Sequence, residues 1–275
     1  MPQAEHVRFW RDPDLREIEF RVSRYDRFAF SPHTHDTYSI GLVHAGGSLV
    51  LEHGPGESRV LAGEIAVIAP GQVHSGIPLD ESGVAYRMLY VDAGWLHGLC
   101  RELGKSPDSL PRFRSSVLRD PALRRVLRLL VDMSARNAEG LAKQSVSVVA
   151  FSWLLARHSE LAGRGRDCLD EPHAVRLARE YLADNYAEKV SLERLAEVAG
   201  LSRYHLLRRF KQALGLPPHA WQIQQRVHRA QRLLASGVPI VDAALATGFT
   251  DQSHFSNVFK QIVGATPRQY RDALI

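Results

Sequence analysis

Between residues 36 and 92 apolar and polar residues alternate in short runs. TYSIGLV puts Tyr38, Ile40 and Leu42 on one side of a strand, and SLVLEH follows the pair Gly46–Gly47. EIAVIA runs up to the turn at Pro70–Gly71, and AYRMLYV closes the set. Period two, with turn residues between the runs, predicts a small all-β barrel or sandwich. From 119 to 135 the period changes. Leu123, Val126, Leu127, Leu130 and Val131 recur at helical spacing, while Arg124, Arg125 and Arg128 fall off that stripe. A second helix is expected from Leu141 to Leu161. Its apolar residues ring the circumference, so it needs cover on more than one side, from this chain alone or from a second copy. GRGRDCLDEP (163–172) reads as a linker, and from His173 the pattern is helical to the end.

That helical region holds one frame twice. Residues 205–215 read HLLRRFKQALG and residues 254–264 read HFSNVFKQIVG, 49 positions later. Each copy follows a shorter apolar helix and a glycine, Gly200 in the first and Gly248 in the second. Two short helices joined by a tight glycine turn form a helix-turn-helix unit. In the first unit Ser191 and Ser202 suit N-caps, and in the second Thr250 or Asp251 does. Val241, Ala244 and Leu245 are expected to face inward. Leu206, Phe210, Phe255 and Phe259 are expected to be core. Two copies are too few for a solenoid, which needs about three. The intervening stretch PPHAWQIQQRVHRAQRLLASG (217–237) reads as one helix of roughly 30 Å. A rod of that length can set two recognition helices in successive major grooves, about 34 Å apart.

Charge strengthens this reading. The net charge of +5 divides into −5 over residues 1–100, +4 over 101–172 and +6 over 173–275. A basic back half faces a polyanion more readily than an acidic front does. On the second helix of each unit, Arg203, Tyr204, Leu207, Arg208 and Lys211, then Gln252, Ser253, His254, Asn257 and Lys260, occupy positions suited to DNA contact. Arginine can bond guanine and Asn or Gln can bond adenine. Lys211, Lys260, Arg226 and Arg229 suit phosphates, which set affinity rather than sequence.

Residues 173–272 resemble the DNA-binding domain of the AraC/XylS family of bacterial transcription regulators. The stretches AEVAGLSRYHLLRRFKQALG, RAQRLLASG and ATGFTDQSHFSNVFKQIVGATPRQYR carry the resemblance. It implies that helices 203–214 and 251–263 enter the major groove of double-stranded promoter DNA, and that the protein contacts RNA polymerase. Leu207 is apolar where many relatives are polar, which leaves a thymine methyl as its contact.

SPHTHDTYSIGLVHAGG (31–47) and AGEIAVIAPGQVHSG (62–76) resemble the two motifs of the cupin barrel, the usual effector domain of that family. His33 and His35, two apart, share a face if their segment is a strand. The resemblance implies that they converge inside the barrel with His74. Three imidazoles suit a divalent transition metal, or a polar effector in its place. The glutamate that the cupin motif expects is missing where Tyr38 and Ser39 stand, and Pro78 occupies a position where cupins often carry Asn. The effector-binding set is accordingly His33, His35, Tyr38 and His74. The metal set is His33, His35 and His74. His44 and His53 read as ordinary surface or strand residues.

The expected fold is α+β. Residues 1–100 form a cupin-like effector domain, 101–165 a helical dimerisation segment, 166–172 a linker and 173–275 a double helix-turn-helix domain. The expected function is a sequence-specific regulator, an activator by the family's habit, that answers to a small-molecule effector and works as a homodimer. A metal-dependent cupin enzyme with secondary DNA binding is the alternative. An adduct-repair protein, with Cys168 beside Arg166, is a third. The start MPQAEHVRFWRD has no apolar leader pattern, no run of about 18 apolar residues predicts a membrane span, and two cysteines suit the reducing cytoplasm.

Overall fold

The computed structural model describes residues 6–52, 57–103, 110–160 and 172–274. The chain forms two compact units, in the main residues 1–29 with 34–165, and residues 30–33 with 166–273. The architecture is α+β, an antiparallel sheet domain followed by an all-helical one.

The first unit opens with a hairpin, β1 (His6–Asp12) and β2 (Leu15–Tyr25), outside the 36–92 stretch predicted as strands. β3 (Tyr38–Glu52), β4 (Glu57–Leu61), β5 (Ile65–Ile68), β6 (His74–Pro78) and β7 (Val84–Val91) complete most of the sheet. The expected break at Gly46–Gly47 is instead a bend within the single strand β3. Residues before it pair with β5 and β7, and residues after it pair with β4 and β6. Gly46 has φ +65°, and a Cβ there would stand 1.9 Å from the Gly83 carbonyl oxygen. Only glycine lets the two backbones approach so closely.

α1 (Ala93–Glu102) follows, capped by Asp92, whose carboxylate accepts from the Trp95 amide at 2.7 Å. After β8 (Arg112–Phe113) and β9 (Val117–Leu118) come α2 (Pro121–Ala135) and α3 (Gly140–His158), then β10 (Ser159–Glu160). Alternation decides what the helices cover. Tyr38, Ile40 and Leu42 of β3, Ile18 and Phe20 of β2, and Leu89 and Val91 of β7 share one face and pack against Leu123, Leu127, Leu130, Phe151 and Leu154. α3 is also tied to the β1–β2 turn. The fully buried Lys143 ammonium lies 2.7 and 2.9 Å from the Asp12 carboxylate oxygens and 2.7 Å from Asp14. On the outward side of the helix pair, Leu129, Leu141, Val148 and Val149 are exposed, Leu141 to 70%.

The second unit comprises α4 (His173–Asp184), α5 (Leu192–Ala199), α6 (Arg203–Leu214), α7 (Pro218–Ala235), α8 (Ile240–Ala246), α9 (Gln252–Val263) and α10 (Pro267–Asp272). α7 has eighteen residues, or about 27 Å. Two inward assignments change. Val241 and Leu245 are about half exposed, and Ala243 and Ala244 take the buried positions on α8. The aromatic chain Phe249, Phe255, Phe259 and Tyr270 fills the space where larger α8 residues were expected.

Candidate nucleic-acid interface and effector site

The two helix-turn-helix units are closed by the same bonds. In the first, the amides of Gly200 and Leu201 return to the carbonyls of Glu197 and Ala196, with Gly200 at φ +62°. In the second, the amides of Gly248 and Phe249 return to Leu245 and Ala244, with Gly248 at φ +81°. Both are Schellman turns, which need a left-handed residue just past the helix. Ser202 Oγ then accepts from the His205 amide at 3.3 Å, and Asp251 Oδ1 accepts from the His254 amide at 2.7 Å. Leu206 and Phe210, like Phe255 and Phe259, are fully buried. Gly215 and Gly264 end the two helices, donating to the carbonyls of Lys211 and Lys260. The repeated eleven-residue frame is thus one set of instructions, used twice, to cap, anchor and stop a short helix.

The outward faces agree with their positions in the frame. Arg203, Leu207, Arg208 and Lys211 are exposed on α6, and Gln252, Ser253, His254, Asn257 and Lys260 are exposed on α9. The side chain of Tyr204 lies outside the described residues.

Arg226 and Arg229 are corrections. Both were expected to meet phosphates from α7, yet both turn inward. Arg226 Nε donates to the Tyr186 carbonyl at 2.7 Å, Nη1 to Gly248 at 2.6 Å and Nη2 to Glu188 at 3.0 Å, and its guanidinium lies over the Phe249 ring. Arg229 stacks on Tyr186 at 4.0 Å and donates to the Ala183 carbonyl. The loop after α4 leaves several carbonyls without helical partners, and a guanidinium has enough donors to bridge them. Burial lowers the Arg226 pKa, but so strong a base stays charged at neutral pH. Arg226 therefore locks the second turn to the α4 end.

The segment that carries His33 and His35 precedes β3 and is not a strand. A different contact brings the histidines together. The Gly71 amide, in the turn before His74, donates to the His35 carbonyl at 2.9 Å. The ligand atoms of His33, His35 and His74 all lie within 4.8 Å of one another. His33 Nδ1 donates to the Ser31 carbonyl at 2.8 Å and His74 Nδ1 to the Gln72 carbonyl at 3.0 Å. A carbonyl can only accept, so each of these two rings carries a proton on Nδ1. This is the outer bonding that orients metal-ligating or acceptor imidazoles.

Tyr38 does not join them. It lies on the helix-facing side, fully buried against Phe113, and its hydroxyl donates to the Pro111 carbonyl at 2.7 Å. Strand parity sends Tyr38 and Ser39 to opposite faces. Ser39 is fully buried on the other face, and its hydroxyl finds no hydrogen-bond partner among the described residues. The Ser75 hydroxyl is also without a hydrogen-bond partner among the described residues, but one step along β6 from His74 it belongs to the opposite face.

Tyrosines on that face were not singled out from the sequence. His35 packs edge-on against Tyr90 at 5.2 Å. The Tyr90 hydroxyl accepts from the buried Arg21 at 3.0 Å, and Arg21 also bonds Ser23 and Tyr25 and lies over Phe9. Burial raises the pKa of Tyr25 and Tyr86, so both hydroxyls stay protonated. Alternation in LREIEFRVSRY, with Arg21, Ser23 and Tyr25 opposite Ile18 and Phe20, was the signal for this polar face. Cys168, His53 and most of the expected linker lie outside the described residues.

Comparison with known proteins agrees with this geometry. Residues 17–146 match the AraC-like ligand binding domain and residues 195–273 match a helix-turn-helix domain. The chain is 32% identical to the HTH-type transcriptional regulator YbfI of Bacillus subtilis over 88% of this chain and 87% of that one. It is 30% identical to the HTH-type transcriptional activator RhaS of Escherichia fergusonii, over 90% of each chain. Its fold is similar to that of an apo ToxT variant from Vibrio cholerae, with a TM-score of 0.64, 15% identity and coverage of 94% of this chain and 98% of that one. The chain belongs to the AraC/XylS family of DNA-binding transcription regulators, and carries a ligand-binding N-terminal domain ahead of its helix-turn-helix domain.

Proposed function

We propose that this protein is a homodimeric activator in the cytoplasm, not an enzyme. In this reading α6 and α9 each read promoter DNA, and an effector binds beside His33, His35 and His74. The observation that carries it is the identical capping and anchoring of the two helices, with uncharged or basic residues on both outward faces. Arg203, Arg208, Gln252 and Asn257 are the base readers, with Tyr204, Leu207, Ser253 and His254 around them. Lys211 and Lys260 meet phosphates, and RNA polymerase is a further partner. No described helix is long and apolar enough to cross a membrane.

Fluorescence anisotropy on the protein's own upstream DNA, over a range of salt, tests the DNA contacts. Arg208→Ala and Asn257→Ala each weaken specific binding about 5- to 150-fold and relax sequence preference. Lys211→Ala and Lys260→Ala weaken all sequences alike and reduce the salt slope by about 1 each. Arg226→Ala lowers thermal stability and leaves the slope unchanged. Binding by the parent protein that is insensitive to salt and to sequence would sink the proposal.

The exposed Leu129, Leu141, Val148 and Val149 supply the dimer contact. Val149→Glu therefore shifts the sedimentation coefficient toward that of the monomer; an unchanged value removes this assignment.

On the effector side, the orphaned Ser39 hydroxyl and the three imidazoles favour a polar ligand. The same three imidazoles fit a divalent transition metal, which would supply a Lewis-acidic anchor for such a ligand. A thermal-shift screen of polar metabolites separates the two modes by whether the rise needs zinc, and His74→Ala removes either response if the site is the histidine cluster.

A further inference from the structure

α2 crosses the sheet so that Arg124 and Arg128, one helical turn apart, reach the β3–β7 pair. With Leu42, His44 and Arg87 they line a cavity of about 150 Å³. Strand pairing places two of these residues: Leu42 lies opposite Arg87. His44 is the extra residue where the register shifts between Val43 and Ala45. A bulge of this kind re-aims a side chain out of its strand's alternation.

The lining holds three guanidiniums and an imidazole, and no acidic side chain. Asp132, further along α2, accepts from Arg87 at 2.5 Å and lies 3.6 Å from Arg128 Nε. Arg124 donates through Nη2 to the Val43 carbonyl at 3.1 Å. Its Nε is buried with no hydrogen-bond partner among the described residues. Burial, then the charge of Arg87, with Arg124 and Arg128 behind it, holds the His44 pKa below its ordinary value. Three fixed positive charges against the one carboxylate of Asp132 leave two uncompensated around a concave site.

We propose that this cavity binds a compact dianion of the phosphate class, inorganic phosphate or the phosphoryl group of a small metabolite, between α2 and the sheet. Forked guanidinium donors match such an oxyanion. A dianion cancels the surplus charge. The buried Leu42 in the lining favours a small ligand seated in the concavity over a duplex backbone lying across the surface. The site shares no residue with the histidine cluster or with the helix-turn-helix units, so it does not rest on the proposed function.

The full-length protein is melted in about 10 mM inorganic phosphate, glycerol phosphate or succinate, each against chloride of equal ionic strength. Phosphate is expected to raise Tm by about 2–4 °C, and Arg124→Gln and Arg128→Gln each to remove most of that rise. A larger rise with glycerol phosphate assigns the site to a phosphorylated metabolite, and an equal or smaller one assigns it to the free ion. Arg128 is well exposed, so its variant reports even if Arg124→Gln folds poorly. Proton NMR supplies a second readout. The groups facing His44 are Arg87 from β7 and Arg124 and Arg128 from α2, with Asp132 beyond them. Once phosphate screens these arginines, the His44 ring titrates at higher pH. The proposal is overturned by a Tm rise no greater than that in chloride, by a rise that survives both variants, or by succinate matching phosphate. DNA affinity lost in Arg124→Gln without any phosphate response would likewise overturn it, giving the arginines to DNA.

Discussion

Gly248→Ala weakens the helix-turn-helix unit by roughly 2–5 kcal/mol and strips α9 of its support. Two effects add. The residue sits at φ +81°, where an L side chain is strained. Its new Cβ would also stand 2.2 Å from the Ala187 carbonyl oxygen and 2.7 Å from Ala187 Cα, which are backbone and cannot rotate away. Moving that loop also pulls apart the Arg226 bonds to Gly248 and Tyr186. Gly200 holds the equivalent place in the first unit, at φ +62°, but a Cβ added there would meet no heavy atom within 4 Å. Gly200→Ala therefore carries only the backbone term, about 1–2 kcal/mol. Urea denaturation followed by circular dichroism compares the two, and anisotropy reports DNA binding. Equal losses for the two glycines would contradict the close approach at Ala187.

Lys143→Ala destabilises the N-terminal unit by about 3–5 kcal/mol. Lys143 and Asp12 are both buried, so deletion of the ammonium strands a carboxylate that water does not reach. Asp14 is about two-fifths exposed and is less affected. Replacing both buried charges, as in Lys143→Met with Asp12→Leu, recovers most of the loss, because the cost lies in the unpaired ion and not in the absence of the pair.

The same pair sets a pH dependence. Burial pushes the Asp12 carboxyl up, but bonds from Lys143, the Asp14 amide and Ser134 outweigh it and leave its pKa below the ordinary 3.8. A depressed carboxylate stabilises the fold above its unfolded value and loses that contribution as pH falls through the folded value. Acid unfolding should therefore begin below about pH 4, and Lys143→Ala should remove that part of the acid limb. An unchanged acid limb in the variant would assign it to other carboxylates, such as Asp120 or Glu64, which are also depressed.

How much could be read from residues alone depended on the range of the interaction. Ser202, Gly215 and Gly264 act within one helical turn, and a window of a few residues shows them. The β1–β2 hairpin was legible in principle, since Ile18, Phe20 and Val22 alternate with Glu19, Arg21 and Ser23, yet charged partners masked the strand pattern. Tyr38 was placed with the histidines because it is near them in sequence, and one step of strand parity puts it on the other face.

By itself the sequence determined helices α6 and α9. Their caps and left-handed stops are bonds between residues at most five positions apart, and each recurs in both copies of the frame. Only the tertiary structure decided what the long polar side chains do. Lys143 meets Asp12 across 131 positions, Arg226 meets Tyr186 across 40, and Arg124 meets the Val43 carbonyl across 81. A flexible charged chain is equally at home in water, on phosphate or on a buried carbonyl. Which of these it finds depends on what folding brings to it from a distant part of the chain.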